Sequence, residues 1–433
     1  MSTTSIPSGS PLANKQYSKA LAAMAVRQPT PTKMLMGPMS SEDTAMRKLR
    51  QQTTNDMPIV RVDELTKGPG DVVQVDCVHV IKLRAIMGDT NAEGRGASLK
   101  WSSQDIKIDM ATLPVSAGGK MTQQRTPHMM RATALAQLKG GMPRFRWQRI
   151  QTALAGARGV QDGNDWILPL QSDPEFADMM VNPVRAPTYN RHWVASGATL
   201  IQGGAQLASL LTTDTLKLSM LDEFAAIWSE MSTKMSQIMI PGDPAAGDDP
   251  IKGILLIDEL AWDAIMTDTT ANNNIRTFET NAMKRASYGD LKAHPLFSGS
   301  PILWNGILMR KMSSAIRFNG SDSVAHVTVG NRLTATETNV TVAAALSTTH
   351  QVARSIFLGA QALGFASGAN QTSEETYSLL ENRTNFQRNL EFAGEIIGAE
   401  QKLRWSLPNA NGDLEPTDFG VAIIDSVVRR RNT

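Results

Sequence analysis

Eight Lys or Arg residues lie between positions 120 and 158, and no Asp or Glu occurs between Asp109 and Asp162. The eight are Lys120, Arg125, Arg131, Lys139, Arg144, Arg146, Arg149 and Arg158. Clustered cations of this kind are typical of polyanion binding, because each cation that neutralises a phosphate releases a condensed counterion. A charged helix face that is merely solvated has the same composition, so charge alone leaves both interpretations open.

Residue patterns that would support catalysis or metal binding are weak. Gly118-Gly119-Lys120-Met121 is the nearest match to a phosphate-binding loop, but Met121 stands where a Ser or Thr would hold magnesium. The six histidines have no metal-ligand spacing, and the acidic loop 243–249 lacks the spacing of a calcium-binding loop. No Gly-x-Ser-x-Gly motif occurs. We therefore expect no catalytic residue, no cofactor and no metal, and a structural role has to be weighed.

Composition describes an ordinary folded protein. The chain has 433 residues, 41% of them hydrophobic, and a net charge of +2, which allows two or three domains or one elaborate fold. The single cysteine, Cys77, excludes an internal disulfide and a four-cysteine zinc site and fits a reducing compartment. No signal-peptide pattern follows Met1, so we expect no export by that route. The longest apolar stretch, 356–369, is too short to span a bilayer and predicts a buried helix.

An arm and a long hairpin are predicted first along the chain. Residues 1–58 are rich in Ser, Thr, Pro and Gln, so they cannot close a core of their own and should order on a partner, with one short helix near 17–27. Alternating apolar residues from Asp71 and again over 106–110 predict two paired strands, with Cys77 packed in the first. A hairpin of this length is marginal alone, so it must lie on its own body or on a neighbouring subunit.

Helices and strands of a mixed α+β body follow. A helix is predicted from Pro127 to Ala155, with a kink at Gly140-Gly141-Met142-Pro143 because Gly lowers helix propensity and Pro removes a donor. The other predicted elements are loops and short strands over 161–215, an amphipathic helix over 215–238, a strand over 253–257 followed by a helix that Asp258 caps, a strand over 302–309, a helix over 343–365, and strands near 403 and over 419–428.

Seven segments between residues 70 and 425 carry a likeness to a known family. They are Leu83 to Leu99, Gly119 to Pro127, Leu154-Ala-Gly156, Gly253 to Leu260, His294 to Gly299 with Trp304-Asn-Gly306, Leu358 to Ala362, and Asp418-Phe-Gly-Val421. In these segments the chain resembles the Hong Kong 97-type major capsid protein, and more closely the major capsid family of short-tailed phages. The resemblance implies an α+β Hong Kong 97-like fold and an icosahedral phage shell that encloses double-stranded DNA.

The same resemblance implies a division of the chain. The implied parts are an N-terminal arm (1–58), an extended hairpin loop (70–118), a peripheral domain (119–250) with its spine helix over 127–155, a mainly axial domain (251–405) and a C-terminal strand that returns to the body (406–433). The spine helix would face the shell interior. The basic residues expected to meet packaged DNA, or acidic residues of adjacent subunits, are Arg125, Arg131, Lys139, Arg144, Arg146 and Arg149. The loop tip expected to contact a neighbouring subunit comprises Gly88, Asp89, Glu93, Gly94 and Arg95.

The implied partners are many copies of the chain in pentamers and hexamers, packaged DNA, and scaffold, portal or decoration proteins, with no membrane. The implied location is the virion capsid, assembled in the cytoplasm of a host bacterium. Two other functions stay open at this point. A nucleic-acid-binding protein acting outside a shell would explain the basic stretch, although aromatic residues for stacking are not interleaved with the charge. An encapsulin-like cellular compartment would share the fold. An enzyme ranks last.

Overall fold

The computed structural model describes sixteen segments of the chain, and all structural statements below concern them: 31–36, 56–62, 70–79, 84–88, 91, 93–125, 129–160, 165–240, 243, 251–267, 295–297, 301–312, 314–346, 349–368, 377–409 and 411–431. The chain forms two compact units. The smaller unit contains the described residues of 112–143 and 377–396, and the larger unit contains the other described residues. The domain boundaries predicted at residues 119, 251 and 406 stay predictions.

The described chain contains both helices and strands, which confirms the predicted α+β class. The helices are α1 Thr32–Met36, α2 Lys120–Arg125, α3 Met130–Ala155, α4 Glu175–Met180, α5 Leu218–Glu230 and α6 Glu259–Thr267. The strands before α6 are β1 Ile59–Val62, β2 Val72–Val78, β3 Trp101–Lys107, β4 Met110–Gly119, β5 His192–Ser196, β6 Thr199–Gln202 and β7 Gly253–Asp258. The strands after it are β8 Ile302–Trp304, β9 Ile307–Met312, β10 Ile316–Phe318, β11 Ser323–Val327, β12 Glu337–Thr341, β13 His350–Leu358, β14 Leu363–Ser367, β15 Tyr377–Thr384, β16 Asn389–Lys402, β17 Arg404–Pro408, β18 Leu414–Asp418 and β19 Val421–Arg429.

An eight-stranded mixed sheet is the core of the larger unit. Its order is β6-β5-β19-β13-β7-β9-β8, and β10 also pairs with β13. The pairs β5–β19 and β7–β9 are parallel, whereas β13 pairs antiparallel with β19 over its full length. Helices α5 and α6 pack on this sheet through Phe224, Trp228 and Trp262, and the Phe224 ring meets Phe357 edge-on with centroids 4.9 Å apart.

The smaller unit is built on part of α3 and on a hairpin. Strand β15 pairs antiparallel with the first half of β16, from Tyr377 opposite Ile396 to Thr384 opposite Asn389. Leu138 and Met142 of α3 pack on this hairpin at Gly394. A Cβ atom at Gly394 would lie 2.6 Å from the Met142 sulfur, so a larger residue there would require the Met142 side chain to move.

The predicted hairpin is confirmed as the pair β2–β3, in which Val72 faces Lys107 and Val78 faces Trp101. The alternation predicted from Asp71 places Val73 and Ile106 inward, where both are buried. Cys77 lies in β2 and is half-buried, with a thiol pKa that burial raises. The helix predicted near 17–27 lies outside the described residues.

The long helix α3 is unbroken from Met130 to Ala155, although Gly140, Gly141 and Pro143 lie inside it. The two glycines and the proline therefore do not interrupt the helix, and the kink predicted at this point stays a prediction. The half of α3 that follows Pro143 is almost wholly buried, with Trp147, Ile150 and Leu154 at or near zero exposure. Burial of such side chains outweighs the propensity cost of two glycines and one proline.

Two predicted helices are corrected by the structure. The helix predicted over 343–365, and the buried helix predicted over 356–369, are strands β13 and β14 joined by a turn, after a short 3₁₀ segment at Ala344–Leu346. A strand that is buried on both faces reads as a continuous apolar run, which periodicity cannot separate from a buried helix. The helix predicted over 215–238 is shorter, because Met231 adopts an extended ψ of 131° and ends α5.

Other predictions hold with small changes. The strand predicted over 302–309 is a hairpin, β8–β9, whose turn residues Asn305 and Gly306 both have positive φ, as an Asn-Gly turn requires. The strand predicted over 253–257 is β7, and it is wholly buried. Asp258 ends β7, and the backbone N–H of Leu260 donates to its carboxylate at 3.4 Å, in the predicted cap position.

Candidate functional site

Acids elsewhere in the chain pair with three members of the basic stretch, Arg131, Arg144 and Arg149. Arg149 is the clearest case, because its side chain is only 1% exposed and its Nε lies 3.0 Å from a carboxylate oxygen of Glu400. Its Nη2 also donates to the carbonyl of Gly398 at 3.3 Å. A buried charge needs such a partner, since taking it out of water unpaired costs several kcal/mol. Arg149 therefore stabilises the interior of the larger unit and offers no surface to DNA or to a neighbour.

Arg144, Arg146 and Arg158 also have partners within the larger unit. Arg144 Nη1 donates to Asp165 at 2.8 Å, with its side chain 21% exposed. The Arg146 guanidinium stacks 3.9 Å from the centre of the Phe365 ring. Arg158 is buried against Trp166 and donates to the carbonyl of Leu168 at 2.8 Å. These three side chains therefore hold the end of α3 and the chain after it to the body.

The basic residues that stay at the surface lie in the smaller unit. Arg131 forms an ion pair with Glu381 while its side chain remains 60% exposed. Lys120 and Lys139 are exposed and have no ion-pair partner among the described residues. Arg125 lies in α2, and its side chain is outside the described atoms. An exposed pair such as Arg131–Glu381 is worth only about 0–1 kcal/mol, so Arg131 can exchange its partner at small cost.

Arg388 is a surface cation that sequence reasoning missed. Its carbonyl accepts a hydrogen bond of 2.9 Å from the backbone N–H of Lys120, so the two residues are neighbours at the turn between β15 and β16. The Arg388 side chain is exposed. Nothing in the sequence near Arg388 marks it, because its proximity to Lys120 arises only when β16 folds against the start of α2.

The tip of the extended hairpin is built on glycines with positive φ. Gly88 and Gly94 have φ of 69° and 74°, and a Cβ atom at either would meet nothing within 4 Å. The Asn91 side chain accepts a hydrogen bond of 3.0 Å from the N–H of Glu93, which forms a local turn. Glu93 and Arg95 are exposed, whereas Asp89 lies outside the described residues. The described tip is therefore a polar, exposed turn.

An apolar pair lies on the outward face of the same hairpin. Val78 and Trp101 are direct cross-strand partners, and their side chains are 46% and 63% exposed. Leu99 beside them is also exposed. A large apolar patch in water usually marks an interaction surface. Sequence reasoning had placed the contact surface only at the polar tip and missed this pair.

Two buried ionic clusters fix the larger unit. Asp418 lies 2.8 Å from Lys402 Nζ and 2.7 Å from Arg404 Nε, and all three side chains are buried or nearly so. Burial lowers the pKa of Lys402 to about 8, although Asp418 opposes that shift. Burial alone would raise the pKa of Asp418, but Arg404 and Lys402 bring it below its ordinary value.

The second cluster joins Asp425, Arg354 and His192, all fully buried. Burial would raise the pKa of Asp425, but Arg354 and His192 outweigh it and lower that pKa to about 2. Burial lowers the pKa of His192 below its ordinary value, against the attraction of Asp425. Both clusters lie among packed strands and their charged groups are paired, which favours a structural role over proton transfer.

Within the described segments, no group of three or more His, Cys, Asp or Glu residues could hold a metal ion. No helix in that part of the chain combines the length and the apolar character needed to cross a membrane. The candidate binding surfaces in the described residues are the exposed cations of the smaller unit and the outward face of the hairpin β2–β3.

Comparisons with known proteins give one family and one fold. A family model described as phage capsid protein matches residues 5–430. No curated protein matches. Among solved structures, the capsid of Ralstonia phage GP4 is 21% identical over 100% of both chains, with a TM-score of 0.72. The Cyanophage Pam1 capsid is 12% identical over 100% of both chains, with a TM-score of 0.62. The head of Helicobacter pylori bacteriophage KHP40 is 11% identical over 97% of this chain and 96% of the other, with a TM-score of 0.54.

Proposed function

The chain belongs to the phage capsid protein family, and from that premise we propose that it turns the unpaired cations of its smaller unit toward packaged double-stranded DNA. Its role as a major capsid protein is to assemble, in many copies, into the icosahedral shell of a phage. A closed shell of this kind is built from repeated contacts between copies, which form rings where the rotation closes. The predicted function and the predicted Hong Kong 97-like fold are confirmed at this level.

The observation that carries the proposal is the distribution of unpaired charge. Lys120, Lys139 and Arg388 are exposed and have no carboxylate partner among the described residues. Cations that are already neutralised by a carboxylate, such as Arg149, release few counterions on meeting a phosphate, whereas unpaired cations release the full number. We therefore propose the DNA contact at Lys120, Lys139 and Arg388, keep Arg125 and Arg131 as further candidates, and assign Arg144, Arg146 and Arg149 to internal packing.

Charge reversal tests this assignment. In the variant Lys139→Glu/Arg388→Glu, we expect intact shells of normal size that package less DNA, because two phosphate contacts become repulsive. The matched control, Lys234→Glu/Arg429→Glu, makes the same charge change at an exposed lysine and an exposed arginine of the larger unit and should package normally. If the first variant packages a full amount of DNA, Lys139 and Arg388 do not contact DNA. If it forms no shells, these cations contribute to contacts between subunits.

A salt titration gives an independent measure. The slope of log affinity against log salt for double-stranded DNA falls by about 0.9 for each phosphate contact that is lost. Subunits carrying Lys139→Glu/Arg388→Glu should therefore show a slope that is smaller by about 2 than that of the unmodified protein. An unchanged slope would mean that neither residue contacts a phosphate.

We also propose that the hairpin tip, formed by Gly88, Asp89, Glu93, Gly94 and Arg95, contacts a neighbouring subunit. The exposed pair Val78–Trp101 supports this, because an apolar surface on a projecting hairpin is best covered by a partner. The role needs no catalytic residue and no cofactor. Assembly in the cytoplasm of the host bacterium, in pentamers and hexamers and with scaffold, portal or decoration proteins, completes the proposal.

A further inference from the structure

Two side-chain amides attach the base of the hairpin β2–β3 to the rest of the larger unit. Gln104 lies in β3, and Asn182 follows helix α4. Their exposed fractions are only 7% and 6%. A buried amide that lacks a hydrogen-bond partner is costly, so the groups that these two amides contact show what they hold together.

Gln104 bonds through both ends of its amide to the backbone where β16 passes into β17. Its Nε2 donates to the carbonyl of Lys402 at 3.0 Å, and its Oε1 accepts from the N–H of Arg404 at 2.9 Å. Gln104 and Ile106 form the buried, inward face of β3. Because side chains stand perpendicular to a sheet, this pair of bonds opposes lifting of the hairpin off the strands beneath it.

Asn182 makes the same pair of bonds with an edge of the hairpin. The N–H of Lys107 donates to its Oδ1 at 3.0 Å, and its Nδ2 donates to the carbonyl of Lys107 at 2.9 Å. Backbone N–H and C=O groups lie in the plane of a sheet, so this pair opposes sideways swinging of the hairpin in that plane. Gln104 and Lys107 lie about 10 Å apart along β3, so the two attachments together fix a direction.

The backbone is strained immediately before Asn182. Val181 has a φ of 64° and a ψ of −57°, and the N–H of Asn182 donates to the carbonyl of Met180 at 2.7 Å, which closes a γ-turn. A positive φ is a rare conformation for a β-branched residue. Strain of this kind persists only where surrounding contacts hold it, and it is concentrated at positions that have a function. Here the strained turn presents the Asn182 amide to Lys107.

Apolar packing under the hairpin does not set its direction. Val73, Ile106 and Ile108 pack in one cluster with residues of β1, β14 and β16. The hydrophobic effect is non-directional, so such a face can slide or tilt at small cost. Hydrogen bonds, in contrast, weaken steeply as their angle bends. The two amide attachments therefore supply the directional part of the contact.

We propose that Gln104 and Asn182 are positioning residues that set the direction in which the hairpin leaves the subunit, so that its exposed pair Val78–Trp101 meets a second copy of this chain. They act through the hairpin and not by contact with the neighbour. A hairpin held in one direction loses less conformational entropy on docking than one that swings. The inference rests on the contact proposed above between the hairpin and a neighbouring subunit.

Distances within the free subunit test the positioning. In a Cys77→Ser background, spin labels at Ser98→Cys in the hairpin and at Ala226→Cys on α5, both exposed positions, give a distance distribution by electron–electron double resonance. Gln104→Met and Asn182→Leu keep the side-chain size and remove the amide bonds, so each should broaden or shift that distribution. An unchanged distribution in either variant would overturn the role of that residue. If one variant does not fold, the other carries the test.

Gln148 supplies a matched control. Its Nε2 donates to the carbonyl of Asp165 at 2.8 Å, and its Oε1 accepts from the N–H of Ile167 at 2.8 Å. Gln148→Met therefore loses the same pair of amide–backbone bonds in helix α3 of the larger unit. It should lower the stability of the subunit and leave the hairpin distances unchanged. Equal broadening in Gln148→Met would indicate a general loosening of the subunit and would overturn the proposal.

Assembly of the unlabelled variants measures the consequence for the shell. The subunit concentration at which shells form, followed by light scattering, should rise about fivefold in Gln104→Met and in Asn182→Leu, because a swinging hairpin loses more entropy on docking. Gln148→Met should stay near the normal concentration. Broadened distances with an unchanged concentration would overturn the contact proposed for the hairpin, whereas unchanged distances would overturn only its positioning by these two residues. The two failures are therefore distinguishable.

Discussion

Arg354 and Asp425 face each other as register partners in the middle of the eight-stranded sheet, joined by two hydrogen bonds of 2.8 Å. A third donor of Arg354 reaches the carbonyl of Ala155 at 3.0 Å, where the long helix α3 ends. The same guanidinium thus binds the sheet and neutralises the negative end of the helix. One cation connects the two largest elements of the larger unit.

Removing the charge of Asp425 should cost much of the stability of the subunit. Asp425→Asn leaves Arg354 buried without its carboxylate, and breaking such a pair costs about 3–5 kcal/mol. Urea unfolding of the free subunit measures the loss. The control Asp413→Asn changes an exposed carboxylate and should alter the free energy of unfolding by less than about 0.5 kcal/mol. Equal values for both variants would show that the pair contributes nothing net.

Acid should destabilise the subunit through the same carboxylate. Because the pKa of Asp425 falls from its ordinary value of 3.8 to about 2 on folding, its contribution is complete above pH 4 and is lost as the pH falls toward 2. The loss amounts to about 2 kcal/mol. His192 acts in the same direction below its ordinary pKa of 6.5, since its folded form resists protonation. Between pH 7 and pH 2 the free energy of unfolding should depend less on pH in Asp425→Asn than in the unmodified protein. An equal pH dependence in both proteins would contradict the assignment.

Lys402 should act at the opposite end of the pH range. Its pKa of about 8 lies below the ordinary 10.5, so the unfolded chain binds the proton more tightly between these values. Its unfavourable contribution is therefore full below pH 8 and disappears as the pH rises to 10.5, which adds about 3 kcal/mol to the free energy of unfolding. The difference between unmodified protein and Lys402→Met, measured from pH 7 to pH 10.5, isolates this gain. A constant difference would mean that the Lys402 pKa is not lowered.

Two glycines near the long helix should respond oppositely to alanine. Gly156 has a φ of 68°, and a Cβ atom there would lie 2.4 Å from the Arg185 carbonyl, so Gly156→Ala should destabilise by about 2–4 kcal/mol. Gly140 is exposed inside α3 with nothing within 4 Å, so Gly140→Ala should stabilise by up to about 1 kcal/mol. Thermal unfolding of the subunits compares the pair, and a gain from Gly156→Ala would contradict the strained geometry.

Trp101 should affect the assembly of shells and not the stability of the subunit. Its side chain is 63% exposed, so Trp101→Ser should change the free energy of unfolding by less than about 0.5 kcal/mol. If the outward face of β2–β3 contacts a neighbour, shells should form at higher protein concentration, which light scattering measures. Gln74→Ser, on the same outward face away from the apolar pair, is the control and should assemble normally. An unchanged assembly threshold for Trp101→Ser would show that Trp101 does not contact a neighbouring subunit.

Local patterns predicted the fold well where one face of an element is buried. The alternation at Val73 and Ile106 predicted the two paired strands of the hairpin, and the spacing of Leu221, Phe224 and Trp228 predicted helix α5. The same reasoning failed at β13, because that strand has neighbours on both edges and burial on both faces, and its apolar run has no period.

The candidate site was harder to predict, for an electrostatic reason. The absence of acids between residues 109 and 162 was a correct observation, yet Arg149 is neutralised by Glu400 and Arg144 by Asp165. Such partners cannot be identified from the sequence, because they are far apart along the chain and come together only when it folds. The same limit concealed Arg388, which tertiary structure brings beside Lys120.

The position of β19 has a consequence for synthesis of the protein. Residues 421–429 follow every other strand of the eight-stranded sheet along the chain, yet β19 lies inside the sheet between β5 and β13. A ribosome therefore delivers the central strand last, and until then Arg354 lacks Asp425 and two strand edges stand open. A chain that stops short of residue 421 therefore lacks an interior strand of the sheet and cannot complete it.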